Sequence, residues 1–533
     1  MRRVFMSARK CMYRDAEKRW EALGQRLLTV FFFVVFLVCP SFAQDTVSLV
    51  ANTPVASDPA TPKPKPKESA PPKHLRIGSI VISGSLRGRG EDWGWFETPG
   101  FNDAYTFGAL TLRLAVSQQT EHVDWLVEGE FPSLINLPQH AIAPAPQGQL
   151  GLGASYFAAN HQQDASAVPK QAYARFKFSM AGQPTSLRVG RMEFSDGSET
   201  TPSNAILATL KRERLSQRLI GPFGFSHVGR SFDGLEFVSG SSTSNFTFFA
   251  ARPTEGVFQL RGTDELDVDL YYGAWTRELK VHRAANETRL FGLYYHDGRR
   301  VAKVDNRPAA QIAADHDKLR VATLGGDWIS AIPAGPGNID LLFWGAGQFG
   351  DWGNLAQRAG AISAEGGYQF SAKWQPWIRG GYFWSSGDGN PNDGTHSTFF
   401  QILPTPRIYA RFPFFNLMNL QDTSLEFRLK PLKRLSIRSD VRYLRLSNSN
   451  DLWYSGGGAF QKNTFGYSGR PSGGHSGLGT LFDTSADVKV TRSTNLTLYF
   501  AGVRGAGVES SIYPQGGANP IAHLYYLEFQ QSF

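Results

Sequence analysis

The chain has 533 residues, 41% of them apolar and 19% charged, enough for several soluble domains or for one large barrel. Its formal charge of +9 overstates the basic excess: residues 1–43 hold eight basic and three acidic side chains, so the remainder is near +4. That is too mild for a nucleic-acid-binding surface. The only cysteines, Cys11 and Cys39, both lie in that first segment, which excludes disulfides and thiolate metal sites from the rest.

The N-terminus reads as a targeting segment. Arg2, Arg3, Arg9, Lys10, Arg14, Lys18, Arg19 and Arg26 form a basic region, an apolar run follows from Leu27 to Val38, and Ser41-Phe42-Ala43 carries small residues at a cleavage spacing. A signal peptide over residues 1–43, cleaved before Gln44, is the reading. The apolar run has 12 residues, short of the roughly 20 that a spanning helix needs. Phe36-Leu37-Val38 lacks the small residue that lipid attachment at Cys39 would require. Residues 44–73 include Thr61-Pro62-Lys63-Pro64-Lys65-Pro66-Lys67 and Pro71-Pro72-Lys73, which neither pair as a strand nor wind as a helix. They predict an extended periplasmic tether.

From residue 74 to 533 the pattern is strand after strand. Eighteen candidates fall at 75–87, 104–117, 122–131, 170–180, 185–194, 231–239, 245–252, 267–281, 286–297, 319–331, 338–349, 356–371, 374–386, 422–431, 434–447, 479–491, 494–504 and 522–533. Several alternate cleanly. Val123, Trp125, Val127 and Phe131 share one face and Asp124, Glu128 and Glu130 the other. Leu425, Phe427 and Leu429 oppose Glu426, Arg428 and Lys430; Leu435, Ile437, Val441 and Tyr443 oppose Ser436, Arg438, Asp440 and Arg442. A soluble sandwich would show the same alternation strand by strand. The connections separate the two cases: long ones (195–230, 298–318, 387–421, 448–478) alternate with short ones (239–243, 282–285, 372–373, 432–433) along the chain, and only 350–355 is short where a long one is due. Long loops outside and tight turns in the periplasm are the mark of an outer-membrane barrel. No apolar run after Gln44 could form a spanning helix, and a closed barrel satisfies every backbone group in lipid without one. The fold class expected is therefore all-β: a transmembrane antiparallel up-and-down barrel of about 18 strands, in the outer membrane of a Gram-negative cell. Tyr525, Leu527, Phe529 and the terminal Phe533 share a face, as suits a last strand read by barrel-assembly machinery. Trp93, Trp95, Trp125, Trp275, Trp328, Trp344, Trp374, Trp377 and Trp384 fall at strand ends, where interfacial girdles would use them.

Two stretches resemble the alginate-export family of outer-membrane barrels. One is Val189-Gly190-Arg191-Met192-Glu193-Phe194-Ser195-Asp196-Gly197, then Arg218-Leu219-Ile220-Gly221, then His227-Val228-Gly229-Arg230-Ser231-Phe232-Asp233-Gly234. The other is Gly380-Gly381-Tyr382, Ser386-Gly387-Asp388, Asn390-Pro391-Asn392-Asp393-Gly394, Phe400, Leu403-Pro404-Thr405 and Asn419-Leu420 followed by Asp422. The resemblance implies an 18-stranded monomer and a polyanionic cargo such as alginate.

A channel for anions needs cations facing its lumen. By alternation the candidates are Arg113, Arg175, Lys177, Arg188, Arg191, Arg379, Arg428, Arg438 and Arg442; the family motif adds Arg230 and gives Arg191 more weight. The alternative is that these groups pair with Asp124, Glu128, Glu130, Glu365, Glu426 and Asp440 and only fill the interior. In the connection 195–230, Ile206 to Leu215 suits a short basic helix, either folded into the barrel or capping its rim.

Three other motifs carry less. Asp388-Gly389-Asn390-Pro391-Asn392-Asp393-Gly394 resembles a calcium loop, but its glycine is one place late and Phe399 stands where glutamate is needed; clusters of this kind ordinarily make turns. Gly345-Ala346-Gly347-Gln348-Phe349-Gly350 matches a dinucleotide pattern by letter, with no helix after it. Gly474-His475-Ser476-Gly477 departs from the barrel-phospholipase pattern, and Ser226 and His227 face opposite ways if extended. No catalytic set can be named, and neither enzyme activity nor a cofactor is expected. The expected partners are outer-membrane lipid, assembly machinery and an anionic solute or polysaccharide.

Overall fold

The structure is a computed structural model in which residues 75–161, 164–513 and 520–533 are described; the signal and tether expected over residues 1–73 lie outside them. Lys73–Phe533 is one compact unit. Its strands are β1 (Ile80–Gly94), β2 (Ala104–Gln119), β3 (Val123–Ile135), β4 (Val168–Met180), β5 (Gln183–Met192), β6 (Phe232–Gly240), β7 (Ser244–Pro253), β8 (Val268–Val281), β9 (Ala284–Asp297), β10 (Leu319–Ala334), β11 (Gly337–Trp352), β12 (Leu355–Phe370), β13 (Trp377–Ser385), β14 (Leu420–Leu432), β15 (Leu435–Leu446), β16 (Gly477–Lys489), β17 (Thr494–Gly505) and β18 (Ile521–Ser532). Each pairs antiparallel with the next, and β18 returns to β1 with Ser532 opposite Ser85 and His523 opposite Gly94. The sheet is thus a closed 18-stranded barrel with no free edge, which is what permits strands to cross lipid.

All eighteen expected strands are present. Most ends moved by a few residues, the end of β1 furthest, from 87 to Gly94, and three of the shifts have local reasons. Leu75–Ile77 is not the start of β1; it folds back on Ile80–Ile82 through a turn in which Gly78 has φ +62°. β13 begins at Trp377 rather than 374, because Trp374 and Gln375 sit at φ +71° and +47° in the turn. The connection at 350–355 shortens to Gly353-Asn354, since Trp352 pairs directly with Leu355 and Gly353, at φ +64°, closes the hairpin.

Period-2 alternation sorts the side chains. Val127, Phe131, Leu290, Leu324, Phe343, Ile362, Leu425, Tyr443 and Phe482 all point outward and stay exposed, a lipid-facing belt on successive strands. The tryptophan expectation needs correcting. Trp275 and Trp374 are outward, but Trp93, Trp95, Trp344 and Trp377 are buried inside, where Trp93 Nε1 donates to Glu91 and Trp377 Nε1 to Asp340. An indole packed inward has the same strand-end position in the sequence as one in a girdle, so position alone could not separate them.

The lipid belt yields a location test. Leu425, 56% exposed on β14, should not tolerate Leu425→Arg, which is expected to cost about 2–4 kcal/mol if it meets the bilayer midplane. The readout is the denaturant midpoint of heat-modifiable gel migration in reconstituted protein. An unchanged midpoint would move Leu425 out of the lipid.

Candidate functional site

Inside the barrel the wall has two zones. Toward the long connections the inward residues are apolar: Phe107, Leu134, Leu270, Leu293, Val321, Leu444 and Leu524. Deeper lies a belt of paired charges. The apolar zone is not open to water, because the long connections turn in and pack on it. Phe400 meets Tyr295 at 5.2 Å and Phe465 at 5.8 Å, and Phe194 stacks on Phe249 at 3.9 Å. Such pairs add about 0.5–1.5 kcal/mol each beyond their burial.

Segment 193–231 turns in and meets several wall strands. Asn204 caps helix α1 (Ala205–Leu210), accepting from the amides of Ile206 and Leu207, and a π-turn over Lys211–Leu215 continues it. This is the basic helix expected from the sequence, and it lies inside the barrel rather than on the rim. Lys211 meets Glu287 of β9 at 2.7 Å, Arg214 meets Glu365 of β12 at 2.8 Å, and Glu213 pairs with Arg428 of β14. Beyond the turn, Ile220 bridges Leu403 in parallel: Gly221 N donates to Leu403 O at 2.8 Å and Leu403 N to Leu219 O at 2.9 Å. The two motif stretches, far apart in sequence, therefore meet inside the lumen.

The charge belt can be read residue by residue. Arg113 faces Glu130 at 2.7 Å, Glu193 at 3.2 Å and Glu128 at 3.6 Å. Lys177 meets Asp124 at 2.8 Å and Arg188 meets Glu236 at 2.8 Å. Arg379 holds Asp340 at 3.0 Å and Glu365 at 3.2 Å. Arg428 pairs with Glu426, Arg438 with Asp440 at 2.7 Å and Glu426 at 3.0 Å, and Arg442 with Asp422. These seven expected residues are inward and each faces a carboxylate. Arg175 is inward too, in register with Asp124 and Arg188, yet among the described residues no carboxylate lies within 4.0 Å of it.

Two of the ten depart from the expectation. Arg191 is three residues from Arg188 and so faces the other way; it shares the outer face with exposed Val189 and pairs with Asp233 at 2.6 Å. Arg230 is buried within the loops, not on the wall. It donates to Pro404 O at 3.1 Å and lies over Phe223, tying the two inward segments together.

Several groups were missed by sequence reasoning. Arg289 of β9 faces Asp327 at 2.7 Å and Glu199 at 3.3 Å, and Arg89 of β1 faces Glu91 at 2.7 Å and Glu528 at 3.2 Å. Arg218 lies 4.6 Å above Trp344 and 4.7 Å above Tyr409, and Arg407 lies 3.5 Å above Phe225. On the wall, alternation could have found Arg89 and Arg289; on the loops nothing periodic marks Arg218 or Arg407. Burial also shifts loop groups. It pushes Glu509 up to about 8, Asp451 up to about 6, Arg230 down to about 9 and His396 down to about 3.

The weaker motifs take ordinary roles. Asp388, Asn390 and Asp393 accept from the amides of Asn390, Asn392 and Thr395, each two residues on, which makes turns and leaves no cation cage. Gly345–Gly350 lies within β11. Ser226 Oγ donates to Phe223 O, and Ser476 Oγ accepts from Arg445.

A closed 18-stranded barrel with a lipid belt, unequal ends and a charged, loop-lined interior defines an outer-membrane channel protein. The chain belongs to the alginate export family, whose sequence profile matches residues 149–504. Among solved structures it is similar to OpdK of Pseudomonas aeruginosa, crystallised with vanillate: 11% identity, TM-score 0.50, 85% of this chain and 99% of that one. It is also similar to OccAB3 of Acinetobacter baumannii (12% identity, TM-score 0.51, 86% and 100%) and to OccK2 of Pseudomonas aeruginosa (8% identity, TM-score 0.51, 86% and 98%). These likenesses are of fold. No curated protein matches the chain.

Proposed function

We propose that this barrel passes anionic solutes across the outer membrane, of the acidic-saccharide kind and up to an alginate-like polyuronate. The observation that carries the reading is a set of guanidiniums inside the barrel with no carboxylate within 4.0 Å among the described residues: Arg87 and Arg175 on the wall, Arg218, Arg230 and Arg407 on the inward loops. Guanidinium stays charged even when buried, whereas a carboxyl pushed up to about 8, like Glu509, is mostly neutral at neutral pH. Asp451, at about 6, is still ionised, and we take the field left over by the five guanidiniums as positive and favouring anions. A general uptake porin is the second reading; the interior packing of segments 193–231 and 386–419 weighs against a wide, unselective bore. The reading takes the chain as exported with its signal removed, inserted by the assembly machinery and working as a monomer.

The test is the reversal potential across a planar bilayer under a salt gradient. Anion preference is expected at low salt and should fade toward 1 M, where the Debye length falls to about 3 Å. Arg175→Glu with Arg438→Glu should shift the potential toward cations. Arg191→Glu, on the outer face, should leave it in place. A cation-selective wild type at low salt would end the anion reading.

A further inference from the structure

The segment 193–231 is fastened to the wall in two chemically different ways. Its first half is held by ion pairs, Lys211 with Glu287 and Arg214 with Glu365. Its second half makes no ion pair among the described residues: 215–232 contain no aspartate or glutamate, and Arg218 and Arg230 have no carboxylate within 4.0 Å. The turn at 223–229 instead offers bare backbone carbonyls to wall cations. Arg87 donates to Gly224 O at 2.6 Å and to Ser226 O at 2.5 Å. Arg89 donates to Phe225 O at 3.0 Å, and Lys170 to Val228 O at 2.5 Å. Thr111 Oγ1 donates to His227 O at 3.2 Å. Four carbonyls of one turn, those of Gly224, Phe225, Ser226 and Val228, thus occupy three wall cations without bringing any negative charge.

Arg89 and Lys170 have carboxylates nearby, Glu91 at 2.7 Å and Glu130 at 3.8 Å. Arg87 has none within 4.0 Å among the described residues, and both its terminal nitrogens are spent on neutral acceptors. A carboxylate would satisfy the same two donors in a planar, bidentate and charge-assisted pair, roughly twice as strong as hydrogen bonds between neutral groups. The turn has the joints for release: Gly229 at φ +64° and Phe223 at φ +57° bound it, and Gly224 lies between.

We propose that Arg87 is a carboxylate-binding station in the lumen and that the turn 223–229 occupies it as an internal competitor, narrowing the passage until an anionic solute displaces it. The proposal rests on the channel reading above. An anion that binds Arg87 frees the carbonyls of Gly224 and Ser226; the bonds from Arg89, Thr111 and Lys170 to Phe225, His227 and Val228 give way with them as the turn swings on its glycines, while the ion-paired half stays anchored.

The experiment records chloride current through the mature protein in planar bilayers at about 0.15 M KCl, where the Debye length is about 8 Å. Millimolar glucuronate is the probe and glucose its neutral control. Glucuronate is expected to raise the wild-type open conductance severalfold, with glucose inert. Arg87→Gln, which keeps hydrogen-bonding capacity but loses the charge, should abolish that response. A second variant with residues 223–228 replaced by Gly-Ser-Gly should conduct at the raised level with or without glucuronate. Heat-modifiable migration verifies that each variant is folded. Equal wild-type current in glucuronate and glucose, or a full response in Arg87→Gln, overturns the proposal and leaves the channel reading intact. Folded wild type and shortened-turn variant that both fail to conduct overturn the channel reading and this proposal together.

Discussion

Glu365→Ala is expected to destabilise the barrel by about 3–5 kcal/mol, because it leaves the buried Arg214 without a counter-charge and Arg379 with Asp340 alone. Glu365 accepts from Arg214 Nε and Nη2 at 2.8 Å and from Arg379 at 3.2 Å, and all three side chains are nearly inaccessible. Removing one partner of such a cluster strands the others in a medium that solvates them poorly. The readout is the denaturant midpoint of folded-barrel migration, with the protection of segment 193–231 from protease measured alongside. That segment should loosen, since Arg214 is one of its anchors. Replacing Glu365 and Arg214 together by leucine and methionine should recover much of the loss, because an apolar pair of similar volume removes the buried charge that the single variant exposes. An unchanged midpoint in Glu365→Ala would mean that water reaches the cluster freely and that the loop does not seal it.

Deleting Phe533 should remove most of the assembled protein from the outer membrane. The last residue closes the barrel: Gly84 N donates to Phe533 O at 2.9 Å, and Phe533 N donates to Gly84 O at 3.0 Å. Two such bonds are worth about 1–3 kcal/mol together, and here they complete the seam on which closure depends. A Cβ on Gly84 would come within 2.6 Å of the aromatic ring and 2.7 Å of Arg113 O, so a larger residue at 84 forces the ring and the neighbouring strand to shift. Gly84→Val should therefore reproduce part of the deletion phenotype, and Phe533→Tyr should restore assembly. The amount of heat-modifiable protein in outer-membrane fractions decides it. Wild-type levels in the deletion would show that the seam between β18 and β1 forms without its terminal pair.

Much of the architecture was legible because it is written in local periodicity. Alternation over a strand depends only on neighbours two apart, so Leu425 and Phe427 announced the lipid side and Glu426 and Arg428 the lumen without any knowledge of the strands beside them. Connection lengths were legible for a similar reason: a tight turn such as Lys433-Arg434 leaves no room for another arrangement. Arg191 shows where that logic was misapplied, since an odd spacing from Arg188 reverses the face.

The sequence by itself determined the strand count, their order, most of the inward and outward faces and the strand that closes the barrel, because each follows from short-range patterns and a single rule of pairing. Only the tertiary structure decided what fills the interior. Whether Arg214 meets Glu365, whether Ile220 lies beside Leu403, and whether Arg87 receives a carboxylate or a carbonyl depend on contacts between residues 137 to 183 positions apart. Coulomb energy and packing choose those partners in three dimensions, and no repeat along the chain records the choice.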